Sequence, residues 1–176
     1  MADRSRLKLV EKLTEGQFGL LKSITDEGAI DAAGLEDSIQ NVVNDRLALS
    51  DGLLEAARDL RGSANAIARR SAVSRSYYAA YHAARATLVS VARKDQDEHE
   101  KLPREIDGLL GDGAGDPLKE LRILRSEMDY SPYPGPNRGT RYDNAELETL
   151  IQDSIGKAET FVGRLADYRA ARVARG

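Results

Sequence analysis

Apolar residues recur along this chain at three- and four-residue intervals and never in sustained alternation, which predicts helices and no sheet. Leu7, Val10, Leu13, Leu20, Leu21 and Ile24 mark a first helix over about Arg4–Ile24, weakened by Gly16 and Gly19, and Thr25–Gly34 reads as a connection. Ile39, Val43, Leu47, Leu54, Ala57 and Leu60 form one stripe, predicting a helix over Asp37–Leu60. Gly62-Ser63 breaks it, with Ser63 the expected N-cap of a helix over Ala64–Ala92. The polar run Arg93–Lys101 ends that helix, and a short one follows near Pro103–Leu110, stopped by Gly111–Gly115. Asp116-Pro117 reads as an N-cap and first helical residue, opening a helix to about Met128. Three prolines and two glycines make Ser131–Arg141 a loop. The last helix starts at Asp143 with Glu146 in capping-box register, carries Leu147, Leu150, Ile151, Ile155, Ala158, Val162 and Leu165, and is expected to fray through Arg169, Arg172 and Arg175. The fold class is therefore all-α: a single-domain bundle of five to six helices over 37–176, preceded by an N-terminal helical extension over 1–36.

Composition narrows the chemistry. A chain of 176 residues with 41% hydrophobic content can bury a core of its own. Cysteine is absent and there are two histidines, His82 and His99, so a disulfide framework, a thiolate metal site and a His-rich zinc centre are all unexpected. No apolar run reaches the length of a membrane span, and Met1–Val10 lacks a signal-like apolar core. The expectation is a cytoplasmic protein with no membrane partner. The net charge of −3 points to no partner by itself, but its distribution is uneven. From Leu60 to Lys94 there is no Asp or Glu, while Arg61, Arg69, Arg70, Arg75, Arg85, Arg93 and Lys94 all lie there. Such a stretch is either a local polyanion site or a basic helix paired with acids from its neighbours.

On the helix over Ala64–Ala92, Val73, Tyr77, Ala80, Ala84, Leu88 and Val91 share the core stripe. Arg75 and His82 are seven residues apart, so they differ by about 20° around the axis and lie about 10.5 Å apart along it. Tyr78 lies between them at the edge of the same face, and Ser71 and Arg85 extend the line at its two ends. Ala79, Ala83 and Ala86 flank this face and would let another helix approach closely. Two copies packed about a dyad would turn the thin strip into a cleft with two Arg and two His.

The run Ala72-Val-Ser-Arg-Ser-Tyr-Tyr-Ala-Ala-Tyr-His-Ala-Ala-Arg-Ala-Thr-Leu resembles the signature helix of the HEPN superfamily (higher eukaryotes and prokaryotes nucleotide-binding). Leu121-Arg122 followed by Asp129-Tyr130 resembles a second family segment, and Ala158–Val162 resembles its closing helix, so the likeness spans about Ala48–Leu165. The resemblance implies a helical bundle and a metal-independent endoribonuclease using an Arg-X(4–6)-His motif, here Arg75 and His82, often a toxin of a toxin-antitoxin or defence system. It implies a homodimer, with an antitoxin such as a small nucleotidyltransferase as partner, and neither a cofactor nor a metal. The chemistry is coherent: His moves protons near neutral pH, and an Arg fork neutralises charge developing on the phosphorane. Tyr78, Arg85 and Ser71 are the expected RNA- or nucleotide-binding residues, Tyr78 as the stacking ring. The chain departs from the family pattern at Ser76, where active ribonucleases often carry Asn, Asp or His. It departs again at Ala84, where toxins silenced by nucleotide addition carry Tyr. The alternative function is a non-catalytic module whose cleft holds nucleotide, RNA or a partner protein. Elsewhere, Arg125 and Asp129 read as a structural i, i+4 pair, His99 as a solvated loop histidine, and Gly111–Asp116 follows no strand as a phosphate loop would.

Overall fold

The computed structural model describes residues 26, 31–132, 134, 135 and 140–174. The helix expected over Arg4–Ile24 lies outside them, as does Arg175. From Ala32 onward the described residues form five α-helices and no strand: α1 Ala32–Arg61, α2 Ala66–Thr87, α3 Leu102–Leu110, α4 Asp116–Tyr130 and α5 Asn144–Val173. A π-helical turn, Leu88–Ala92, extends α2. No helix among them is long and apolar enough to cross a membrane.

The ends of these helices follow from local hydrogen bonding, at times one or two residues from where the pattern placed them. α1 starts at Ala32 and not Asp37, because the Asp31 side chain accepts from the Ala33 amide and adds a turn. Asn65, not Ser63, caps α2: its side chain accepts from Ile67 and Ala68 N–H, while Ser63 Oγ accepts from Asn65 N–H. Gly115 and not Asp116 holds the N-cap position of α4; no side chain caps there, and Asp107 Oδ1 accepts from Gly115 N–H at 2.8 Å. The Asp143–Glu146 capping box of α5 is present with both of its bonds. That helix runs on without fraying at Arg169, whose guanidinium donates to Thr87 Oγ1 at 2.7 Å.

α2 is the central helix and packs against all four others. Its expected core residues Val73, Tyr77, Ala80, Ala84 and Leu88 are buried, with Val91 half-buried. One cluster joins Tyr77, Tyr81 and Leu88 to Leu102 and Ile106 of α3, Leu118 and Leu121 of α4, and Phe161 and Leu165 of α5. A second joins Ala72 and Val73 to Met128, Leu147 and Ile151. The small residues Ala79, Ala83 and Ala86 are also fully buried, so the helix they let approach closely is already in place. They admit α1 of the same chain: Ser50 Oγ donates to Ala79 O, and Ala86 packs against Ile39, Val42 and Val43. A helix rich in alanine presents little bulk, so α1 comes close enough for a hydroxyl to reach a backbone carbonyl.

Candidate functional site

With α1, α3, α4 and α5 packed around it, α2 keeps a narrow strip that is not fully buried: Ser71, Arg75, Tyr78, His82 and Arg85. These are the residues that the sequence put on one face, at i, i+4, i+7, i+11 and i+14. Their surroundings differ sharply. Arg75 is exposed and has no hydrogen bond or ion pair with any described residue. Ser71 spends its hydroxyl on the carbonyl of Ile67 within the helix. The Tyr78 hydroxyl accepts from Arg125 at 3.0 Å, and the same guanidinium lies 5.3 Å from its ring centroid. The expected stacking ring is thus already covered by a cation from α4.

Arg85 is tied to Asp95, which lies just beyond the acid-free stretch and folds back onto it. Arg85 Nε donates to Asp95 Oδ1 at 2.9 Å and Nη2 bonds Oδ2, while Arg46 of α1 donates to the same two oxygens at 3.2 and 2.7 Å. The exposures of these side chains are 16% for Arg85, 5% for Arg46 and 7% for Asp95. Two guanidiniums share one carboxylate in a part of the protein that water reaches poorly. The carboxylate is held below its ordinary range by those bonds, against a burial that opposes it.

His82 stands beside this cluster. Its ring is half-buried and meets Tyr81 edge-on at 5.3 Å. Burial, reinforced by Arg85 and Arg46, lowers its pKa to about 4, so it is neutral at pH 7. Its Nδ1 is buried without a hydrogen-bond partner. Buried polar atoms are nearly always satisfied, and on the same helix Arg69 Nε and Arg70 Nε are likewise buried with no hydrogen-bond partner.

His99 belongs to the same aromatic group, although the sequence presents it as a loop residue between Glu98 and Glu100. The Tyr77 hydroxyl and His99 Nδ1 are 2.5 Å apart. The imidazole lies 4.6 Å from the Tyr81 ring and 6.2 Å from the Tyr78 ring. Burial and the neighbouring Arg125, Arg122 and Arg85 push its pKa down. The loop is anchored by Tyr81, whose hydroxyl donates to Asp97 O at 2.8 Å. No local pattern signals these contacts, because they join residues up to 22 apart across an irregular segment. The one hint is the run Tyr77, Tyr78, Tyr81, more phenols than a helix of this bundle can bury without polar partners.

Beyond Tyr78, His99 lines an open groove of about 920 Å³ with Arg122, Ile123, Arg125, Glu127 and Tyr130. Arg125 makes the expected pair with Asp129, at 3.8 Å, but its guanidinium also lies over the rings of Tyr77, Tyr78 and Tyr130. Arg122 pairs with Glu100 at 3.0 Å. Among the described residues no three His, Asp or Glu side chains group as metal ligands. No protein-family model matches the chain, and no curated protein matches its sequence.

Proposed function

We propose that this chain is a metal-independent endoribonuclease of the HEPN type, cutting RNA at a cleft that a second copy completes about the α2 strip. The observation that carries this reading is that one face of α2 holds both the exposed Arg75 guanidinium, which has no partner among the described residues, and the neutral imidazole of His82, whose Nδ1 is unbonded. They occupy the two ends of the Arg-X6-His spacing that resembles the family motif. In the reaction, the substrate's 2′-hydroxyl gives its proton to neutral His82 and its oxygen attacks the adjacent phosphorus. The P–O5′ bond breaks, the 5′-oxygen leaves and takes up a proton from water, and His82 returns the proton it accepted to solvent. Arg75 neutralises the phosphorane oxygens meanwhile. A ring with a pKa of about 4 accepts a proton only weakly and holds none to donate at pH 7, so His82 is assigned the base role. In a toxin-antitoxin setting, a partner protein would silence the protein by covering this strip.

The depressed basicity of His82 and the commitment of Arg85 to Asp95 favour a second reading, a non-catalytic module that binds RNA or nucleotide on the same strip. Cleavage of a fluorescent RNA in EDTA separates the two. The ribonuclease reading expects 2′,3′-cyclic phosphate or 3′-phosphate ends, loss of cutting in His82→Ala with RNA binding retained, and loss of both in Arg75→Ala. Salt-sensitive RNA binding without cutting by the unmodified protein would establish the module instead. Sustained cutting by His82→Ala removes the catalytic assignment.

A further inference from the structure

We infer that the groove beside His99 is a phosphodiester subsite, in which His99 Nε2–H, Arg122 and Arg125 hold a phosphate of the RNA strand and the exposed ring of Tyr130 takes an adjoining base. This deepens the ribonuclease reading and rests on it for the identity of the strand.

The donor at the centre of the subsite follows from one hydrogen bond. The Tyr77 phenol is fully buried and its pKa is pushed up, so the hydroxyl keeps its proton; among the described residues His99 Nδ1 is its one hydrogen-bond partner, and a buried O–H needs an acceptor, so the bond is assigned as Tyr77 donating to Nδ1. The ring proton of neutral His99 must then sit on Nε2, which makes that nitrogen a donor. Burial and the nearby guanidiniums oppose protonation of the ring, so this tautomer persists at neutral pH. A neutral imidazole fixed this way donates to an oxyanion without gaining or losing a proton.

The charges around the groove leave room for an anion. Glu98 is paired with Lys101 at 2.6 Å, and Glu127 accepts from Gly135 N–H at 2.9 Å. Glu100 holds Arg122, but that carboxylate is 81% exposed, and such pairs contribute little and are readily exchanged. Asp129, which also accepts from Ser74 Oγ, stands at 3.8 Å from Arg125, beyond hydrogen-bond length. Arg122 Nε and Arg125 Nε are both buried with no acceptor. Among the described residues, the large apolar groups nearby with substantial exposure are Ile123 at 57% and Tyr130 at 73%. Fixed donors next to a ring that stays largely exposed, with Arg125 at 5.7 Å from its centroid, match a nucleotide: phosphate on the cations, base on the phenol. Tyr78 links this groove to the α2 strip, since it contacts Arg125 and His99 and lies one turn from His82. A strand cut at the strip would run on into the groove.

The test uses full-length protein, a 2′-O-methyl oligoribonucleotide that cannot be cleaved, and inorganic phosphate. Imidazole nitrogen NMR should show His99 protonated on Nε2, with that resonance moving as phosphate is added. His99→Phe should bind the oligonucleotide about tenfold more weakly with helicity unchanged, the loss expected for one hydrogen bond to a charged group. His99→Gln, whose amide can place a donor near the Nε2 position, should stay within about threefold of the parent. Equal weakening in His99→Gln and His99→Phe, or an Nδ1–H tautomer, overturns the donor assignment. Unmodified RNA that is cut while His99→Phe binds normally removes the subsite and leaves the ribonuclease standing. His99-dependent binding with no cutting of unmodified RNA leaves the subsite and removes the ribonuclease.

Discussion

A half-buried imidazole beside two guanidinium groups takes up a proton reluctantly, and the fold pays for this in acid. His82 has a folded pKa of about 4 against an ordinary 6.5, so the unfolded chain binds more protons than the native one between those values. Stability is therefore unaffected by this group above 6.5, falls as the pH drops toward about 4, and levels off below it. Discounted for the ring's partial exposure, the loss is on the order of 1–2 kcal/mol. Urea unfolding across that range should show it, and His82→Leu should reduce the slope to what His99, whose pKa is also pushed down, contributes, while leaving the neutral-pH midpoint equal or higher. An unchanged slope in His82→Leu would mean other groups carry it. Asp95 acts in a different window: its carboxyl is held below 3.8, so its contribution is lost only at more acid pH. The residue types and spacing on the α2 strip were legible in the sequence. The uneven fates of those residues were not, because Asp95 reaches Arg85 from an irregular segment and Arg46 of another helix donates to the same carboxylate.

At the scale of elements, helix positions followed from periodicity and most corrections came at the ends, where side-chain caps decide within a turn. The junction between α3 and α4 shows a constraint that periodicity does not contain. Gly115 packs its Cα against the backbone of Pro103, and an added Cβ would lie 2.1 Å from Pro103 O. Gly115→Ala should destabilise the protein by about 2–3 kcal/mol through forced backbone displacement, read as a lower urea midpoint. Gly108→Ala is the control, since nothing lies within 4 Å of the Cβ position there. Equal stability of both variants would show that the junction opens at little cost. A similar long-range device closes α4: Arg70 donates to the carbonyls of Met128 and Ser131, satisfying a helix end from across the bundle.

At the scale of the whole molecule, the proposed dimer has to use what α1 leaves free. Ala79, Ala83 and Ala86 are covered within the chain, so the seam is confined to the strip and its continuation at Ile67, which is 71% exposed. Light scattering at tens of micromolar should give a dimer, and Ile67→Glu should shift it to monomer with the helical circular dichroism unchanged. A monomer in the parent protein would remove the composite cleft. Periodicity, caps and glycine breaks determined by themselves that this chain is an all-helical bundle, because burying a stripe at 3.6-residue spacing is a local property of the chain. They also determined that Arg75 and His82 share a face. Only the tertiary structure decided that α1 fills the alanine face, that His82 is neutral, that Asp95 takes Arg85, and that His99 joins the tyrosines. Each of those depends on which distant groups are brought within a few ångströms in a medium of low dielectric, and no spacing along the chain encodes that proximity.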